Sequence, residues 1–126
     1  MTETTPDEAA LLARLRQQPP ADVEVSEVLA VIEAGYDYTP TSFNNGVPPD
    51  QAHNAAGTNE VSCRLFAFAR LHGLAPTETL ACFGHYYREQ VLPHPDGNDH
   101  ANIRTFMRHG WSGLQFDGEA LRPRQP

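Results

Sequence analysis

The sequence predicts an α+β fold in one small domain, with about five helices packed on a small antiparallel sheet of about three strands. Three observations predict it. The chain has 126 residues and is 40% hydrophobic, which suits one compact domain with a single core. Several segments repeat apolar residues at helical spacing. Two short stretches, one in the first half of the chain and one at its end, combine strand-forming residues with turn signals.

The first two elements are helices. Thr5 and Glu8 have the spacing of a capping box, and a pair of prolines beginning at Pro19 ends the apolar stripe that follows. A second helix is expected from about Ser26 to Ala34, because its apolar residues recur at helical spacing and Gly35 is placed to end it.

Extended chain is expected next, in the stretch "YDYTPTSFNNGVPP". Asn45-Gly46 is a strong turn signal. Pro48 and Pro49 argue against a regular central strand after them. Residues 50–57 are therefore expected to form a loop.

The most apolar segment, "TNEVSCRLFAFARLHG", is expected to be the central buried helix, with Thr58 or Asn59 as its cap. Val61 and Leu71 are counted in its apolar surface, and Glu60 is expected to pair with Arg64 on its outer edge. A further helix is expected over "TETLACFGHYYREQVL". There Gly84 would allow another helix to approach closely.

The last part of the chain begins with the turn "HPDGND", in which Asn98 or Asp99 is expected to cap a helix that runs to about His109. Met107 is expected on the inward face of that helix. A hairpin around Asp117-Gly118 would follow, and the earlier "YTPTSF" strand would complete a three-stranded sheet. The aromatic core is predicted to contain Tyr36, Tyr38, Phe66, Phe68, Phe83, Tyr87, Phe106 and Trp111.

Composition limits the function. The formal net charge is −7, with 16 acidic residues against nine basic ones, all arginine. Nucleic-acid binding needs a basic surface, so a nucleic-acid partner is not expected, and neither is an anionic membrane surface. No stretch reaches the roughly 18 apolar residues of a membrane span, and the N-terminus lacks a secretory hydrophobic region. Two cysteines, each inside an apolar run and outside any CxxC pair, suggest buried free thiols in a cytosol-type environment.

The loop that contains His94, Asp96, Asp99 and His100 is rich in metal-binding residue types. The two histidines are six apart across a proline and a glycine, which does not fit a helical zinc pair. The order of acidic residues and glycine does not fit a calcium loop either. A capped turn is the favoured interpretation, and no metal site is predicted.

Other candidate residues have both a structural and a functional interpretation. His100, Arg104 and Arg108 lie four apart on one helix face, which could hold an anion, although a solvated face making ion pairs is favoured. His85 could be a base oriented by Glu89, although a partly buried structural histidine is favoured.

Asn102 lies on or beside the core face of its helix. It is expected to hydrogen-bond across to the loop from Asn54 to Asn59. Ser62 has no Gly-x-Ser-x-Gly elbow around it, and Cys63 has no activating base nearby in sequence, so nucleophilic catalysis is not favoured.

Long strings of the chain resemble the HopJ type III effector family: "YDYTPTSFNNG", "AGTNEVSCRLFAFARL", "TLACFGHYYREQVLPHPDGNDHANIRTFMRHGW" and "LQFDGEALRP". The resemblance implies a small single alpha/beta domain, 1–126, with an N-terminal helix and linker (1–22) and a matching core (23–126). The family is named for proteins that plant-pathogenic bacteria inject into host cells. It has no established enzymatic activity or cofactor, so the resemblance implies no catalytic residue.

The leading hypothesis is therefore a non-enzymatic, monomeric effector-like protein that binds a host or bacterial protein and is delivered from the bacterial cytoplasm by type III secretion. The alternative is a small-molecule-binding protein or small enzyme with a cleft between the last two helices. That cleft would be formed by His85, Arg88, His94, Asp99, His100, Asn102 and Arg104.

Overall fold

The computed structural model describes residues 7–124 and confirms an α+β architecture. Within these residues the helices are α1 (Glu8–Leu15), α2 (Val25–Gly35), α3 (Glu60–Leu71), α4 (Pro76–Ala81) and α5 (Ala101–His109), with a π-helical segment (Tyr86–Val91) and a 3-10 turn (Gly110–Gly113). The strands are β1 (Tyr36–Tyr38), β2 (Phe43–Val47), β3 (Asp50–Asn54), β4 (Gln115–Phe116) and β5 (Leu121–Pro123).

Asp7 caps the first helix, because its side chain accepts a hydrogen bond from the backbone N–H of Ala10 at 3.1 Å. The predicted cap, Thr5, lies outside the described residues. Glu8 bonds with its side chain to the hydroxyl of Tyr36 and so ties α1 to β1. The second helix extends one residue beyond its predicted bounds at each end.

The strands form two small antiparallel sheets, one with the order β3-β2-β4 and one that pairs β1 with β5. The turn between β2 and β3 is Pro48-Pro49, and Val47 faces Asp50 across it. The prediction of a loop after Pro49 was wrong for residues 50–54. The prolines form the turn itself, so they do not interrupt the edge strand that follows.

Gly46 shows why the predicted Asn45-Gly46 turn was wrong. The residue lies inside β2 with φ +94°, and a Cβ there would lie 2.2 Å from the carbonyl oxygen of Asp50. A Cβ on Gly113 would in turn lie 2.7 Å from the Cα of Gly46. The glycines therefore allow the 3-10 turn to pack directly on β2, so Gly46 meets a packing requirement.

The predicted C-terminal hairpin is also wrong. Phe116 in β4 pairs with Phe43 in β2, whereas Leu121 in β5 pairs with Tyr38 in β1. Residues 117–120 therefore carry the chain from one sheet to the other. Asp117-Gly118 is compatible with such a bend. The strands with which its flanking residues pair, β2 and β1, lie far away in sequence, so local sequence does not indicate this pairing.

The core lies around α3, as predicted. Phe66 is fully buried, and its ring centroid lies 5.1 Å from those of both Phe83 and Phe106. Of the predicted core aromatics, Tyr38, Tyr87 and Trp111 are only partly buried and pack against this cluster.

Some residues assigned to apolar faces are exposed. Val61 and Leu71 on α3 and Met107 on α5 are 38%, 48% and 43% exposed, so their predicted inward positions were wrong. The predicted pair between Glu60 and Arg64 is not found either, because the Arg64 guanidinium lies over the ring of Tyr38 at 4.4 Å.

The segment predicted as one helix over residues 77–92 is divided at Gly84, between α4 and the π-helical segment. Gly84 has φ +56°, and a Cβ there would lie 2.9 Å from the backbone nitrogen of Val25 and 3.1 Å from the carbonyl oxygen of Val23. The predicted close approach to Gly84 is present, but the approaching backbone is the start of α2 and the residues just before it. None of the helices within residues 7–124 is both long and apolar enough to cross a membrane.

Candidate functional site

Four asparagines form a hydrogen-bonded cluster, which we call the asparagine network: the buried Asn45, Asn54 and Asn102 and the exposed Asn59. Asn102 donates to the side-chain oxygen of Asn54 at 2.9 Å and accepts from the side chain of Asn45 at 3.0 Å. Asn59 donates to the same oxygen of Asn54 at 2.6 Å. The bond predicted for Asn102 is therefore present, and the network joins α5 to β2, β3 and the start of α3.

The backbone at the starts of α3 and α5 explains how the network is positioned. Asn59 and His100, the residues before these helices, have φ 49° and φ 50° and are the non-glycine residues with positive φ in the described chain. Neither side chain caps its own helix. Both side chains are instead free to bond outside their helix, Asn59 to Asn54 and His100 to Gln90. Such backbone conformations cost free energy and recur at functional sites.

A cleft of about 620 Å³ opens beside the network, between β3, Tyr86 and the first turns of α3 and α5. We call it the asparagine cleft. Its lining contains no Asp or Glu, although the protein as a whole has net charge −7. Its polar lining residues are His53, Asn54, Asn59, Ser62, Tyr86, His100 and Asn102.

The two histidines of the cleft are each fixed through one ring nitrogen. His53 Nδ1 lies 2.7 Å from the side-chain oxygen of Asn44, and His100 Nε2 lies 2.6 Å from that of Gln90. An amide oxygen accepts, so each of these nitrogens donates in the neutral ring. The other nitrogens, His53 Nε2 and His100 Nδ1, then carry lone pairs that can accept a hydrogen bond or a proton.

Arg104, predicted as a ligand residue, holds the preceding loop in place. Its side chain is 9% exposed and donates to the carbonyl oxygens of His94 at 2.7 Å and Asp99 at 2.6 Å. It also donates to the Asp99 carboxylate at 2.7 Å, which lowers the pKa of that carboxyl group. The prediction that Asp99 or Asn98 caps α5 was wrong, because His100 occupies the cap position and Asp99 bonds Arg104.

His85 and Arg88 face the chain before α2. Arg88 donates to the carbonyl oxygen of Val23 at 2.9 Å and to the carboxylate of Glu24 at 3.2 Å. His85 Nδ1 lies 3.7 Å from the same carboxylate. These contacts fit the structural interpretation of His85.

The seven predicted site residues are therefore not gathered in one cleft. Of these seven residues, only His100 and Asn102 line the asparagine cleft. His94 and Asp99 are exposed on the loop, Arg104 is used to hold that loop, and His85 and Arg88 contact another surface.

Arg108 and the cysteines have structural partners. Arg108 forms two bonds with the Asp50 carboxylate, at 2.7 and 3.1 Å, in agreement with the ion-pair interpretation. Burial raises the pKa of the Cys63 thiol, and raises that of Cys82 to about 12, which works against nucleophilic catalysis by either. Nowhere in the described part of the chain do three or more His, Cys, Asp or Glu side chains form a group that could hold a metal ion.

Sequence reasoning missed His53 and did not place Tyr86 or Ser62 in this cleft. His53 lies on β3, which was expected to be a loop, so nothing placed it opposite α5. The one signal available was the predicted bond between Asn102 and the 54–59 segment, which brings residues 53 and 62 near His100.

The family model described as HopJ type III effector protein matches residues 8–121, nearly the whole chain and including α1. The chain belongs to the HopJ type III effector protein family. One solved structure resembles this HopJ chain closely, a crystal structure of a protein of unknown function, VPA0580. The two are 43% identical with a TM-score of 0.89, over 98% of this chain and 99% of the other. No curated protein matches the chain.

Proposed function

We propose that this HopJ-family protein is a type III secretion effector that acts by binding a protein partner in the recipient cell. The observation that carries the proposal is the family match over residues 8–121. The raised thiol pKa values of the buried cysteines and the structural use of Arg88 and Arg104 support binding over covalent catalysis. The bacterial cytoplasm is then the site of synthesis, and the recipient cytoplasm the site of action.

Delivery is tested with the full chain fused to a calmodulin-dependent adenylate cyclase reporter. Bacteria with a working type III apparatus should raise cyclic AMP in the recipient cells, and an isogenic strain without the apparatus should not. A fusion that starts at residue 8 keeps the family-matched segment and removes the polar N-terminus, where type III signals reside. We expect it to lose delivery, whereas an equal signal from both strains would contradict the proposal.

Partner binding is tested separately, by crosslinking the delivered protein inside recipient cells. One recipient protein should be recovered repeatedly, and its tagged form should recover this chain in the reverse experiment. Failure of both directions after demonstrated delivery would contradict the partner-binding half of the proposal.

A second candidate function is the binding of a small polar molecule in the asparagine cleft. It is favoured by two imidazoles with free nitrogens and by the absence of acidic residues from the lining. A ¹H–¹⁵N titration with phosphate, nucleotides and small carboxylates should then give saturable shifts at residues 53, 62 and 100–103. His53→Gln combined with His100→Asn should abolish them, since asparagine tolerates the left-handed backbone. His94→Gln, on the exposed loop, is the matched control and should leave them unchanged.

A further inference from the structure

Arg64 differs from the other eight basic residues in its hydrogen bonding. The other eight arginines all donate to a carboxylate or a backbone carbonyl: Arg14, Arg16, Arg70, Arg88, Arg104, Arg108, Arg122 and Arg124. Arg64 has no hydrogen-bond or ion-pair partner among residues 7–124, although its side chain is partly buried on α3. Its nitrogen atoms are not among the fully buried side-chain atoms that lack a partner, so these donors are open to solvent and available to a ligand.

The position of Arg64 leaves those donors available. Its guanidinium carbon lies 4.4 Å from the ring centroid of Tyr38, so the ring holds the group by a cation–π contact. The N–H groups of a guanidinium project from its edge, which stacking on a ring does not cover. The Tyr38 hydroxyl is itself fully buried. Tyr38 therefore contributes its ring, and not its hydroxyl, to the pocket that it lines together with Arg64.

Arg64 and Tyr38 line a pocket of about 400 Å³ between α2, β1 and Arg124, the residue that follows β5. Leu29, Ile32 and Tyr36 provide an apolar wall on one side. This combination of an apolar wall and one directed polar group is typical of a small-molecule site.

The charges of the pocket define the ligand further. Arg124, also in the lining, is already bonded to Asp37 at 2.9 Å. Glu33, exposed on α2, brings one negative charge to the lining. Glu33 would repel a doubly charged phosphate more strongly than a singly charged carboxylate. The two oxygens of a carboxylate also match two parallel N–H donors of a guanidinium.

We propose that this pocket, the Arg64 pocket, binds a small molecule that carries one carboxylate on an apolar body. Arg64 donates two hydrogen bonds to the carboxylate, and the body lies against Leu29, Ile32 and Tyr36. The site is separate from the asparagine cleft, and the proposal does not depend on delivery of the protein.

The test is a ¹H–¹⁵N titration and calorimetry of the full chain with benzoate. Inorganic phosphate is titrated in parallel as the comparison ligand. Benzoate should give saturable shifts at residues 32–38 and at the Arg64 side-chain N–H, and phosphate should bind more weakly. Arg64→Gln should weaken benzoate binding at least tenfold, as expected for the loss of a charge-assisted pair. Arg122→Gln, on the exposed Arg122–Glu119 pair, is the matched control and should leave the affinity unchanged.

A second variant guards against loss of binding through misfolding. Glu33→Gln removes the negative charge from the pocket and should tighten benzoate binding roughly threefold, an increase that misfolding cannot produce. Absence of saturable shifts at the pocket, equal binding by Arg64→Gln and the wild type, or tighter binding of phosphate than of benzoate would each overturn the proposal.

Discussion

Asn102 shows how much one polar residue can determine in a small core. It is 9% exposed and bonds to Asn45 and Asn54, so it links α5 to β2 and β3 at once. A hydrophobic residue at this position would fill the space but remove the Asn102 side chain as a hydrogen-bond partner of two buried amides. The network therefore favours one placement of α5 on the sheet.

We expect Asn102→Ala to lower the free energy of unfolding by about 2–3 kcal/mol, because two buried amides each lose a side-chain hydrogen-bond partner. Urea unfolding followed by the fluorescence of Trp111 measures this. Asn98→Ala, at an exposed loop position, is the matched control and should change stability by less than about 0.5 kcal/mol. Equal effects of the two substitutions would contradict the role assigned to the network.

Arg104 is the second residue whose side chain organises a whole segment. Arg104 bonds the carbonyl oxygens of His94 and Asp99 from two different nitrogens, whereas lysine donates from one nitrogen and lacks this planar fork. We expect Arg104→Lys to cost about 2 kcal/mol and to speed amide hydrogen exchange at Gly97. Arg122→Lys, where the arginine is 75% exposed, should do neither. Unchanged exchange in Arg104→Lys would show that the loop is held by other contacts.

Among the elements, the β2-β3 hairpin and the end of α5 are joined through Asp50. Its carboxylate accepts from Arg108 and lies 2.7 Å from His109 Nε2. The bonds from Arg108 and then His109 lower the pKa of Asp50 to about 2, from an ordinary value of 3.8. A carboxyl group with a depressed folded pKa stabilises the fold above its ordinary pKa, and that contribution disappears as the pH falls towards the depressed value.

The wild type should therefore be more stable than Asp50→Asn at pH 5, and the difference should shrink as the pH is lowered from about 4 towards 2. Urea unfolding at pH 5 and pH 2.5 measures it. Asp96→Asn, on the exposed loop, should match the wild type at both pH values. A difference that stays constant between the two pH values would mean that Asp50 acts through packing alone.

The helices were predictable because their signals are local. Apolar spacing and glycine stops placed α2, α3 and α5 to within a few residues. Caps were less predictable, since Asp99 bonds Arg104 and leaves the cap position to His100. The exposure of Met107 depends on which elements pack against α5, and the spacing of apolar residues along the helix does not indicate this.

The strands and the candidate site depended on distant pairings. The residues near Asp117-Gly118 give no indication that the strands on either side of it belong to different sheets. The asparagine cleft needs β3 opposite α5, so only the Asn102 contact could be predicted. His53 could not, because its strand was expected to be a loop.

At the scale of the whole molecule, the pairing of β1 with β5 joins the first third of the chain to its end. Tyr36 faces Pro123, and Tyr38 faces Leu121, which is 2% exposed in the core. Bringing residues so distant in sequence together costs loop-closure entropy, so we expect this pairing to be stable only when the intervening chain is folded. The protein should therefore unfold as one cooperative unit.

Leu121→Ala tests this at the edge of the fold. Loss of a buried leucine should cost about 2–4 kcal/mol, and Arg122→Ala beside it, with an exposed side chain, should cost less than about 0.5 kcal/mol. The destabilisation should appear equally in far-UV circular dichroism and in the fluorescence of Trp111, which packs against Phe66 and Phe106 far along the chain from β1. Two separate transitions would contradict cooperativity, because they would mean that the β1-β5 sheet melts while the aromatic core around α3 stays folded.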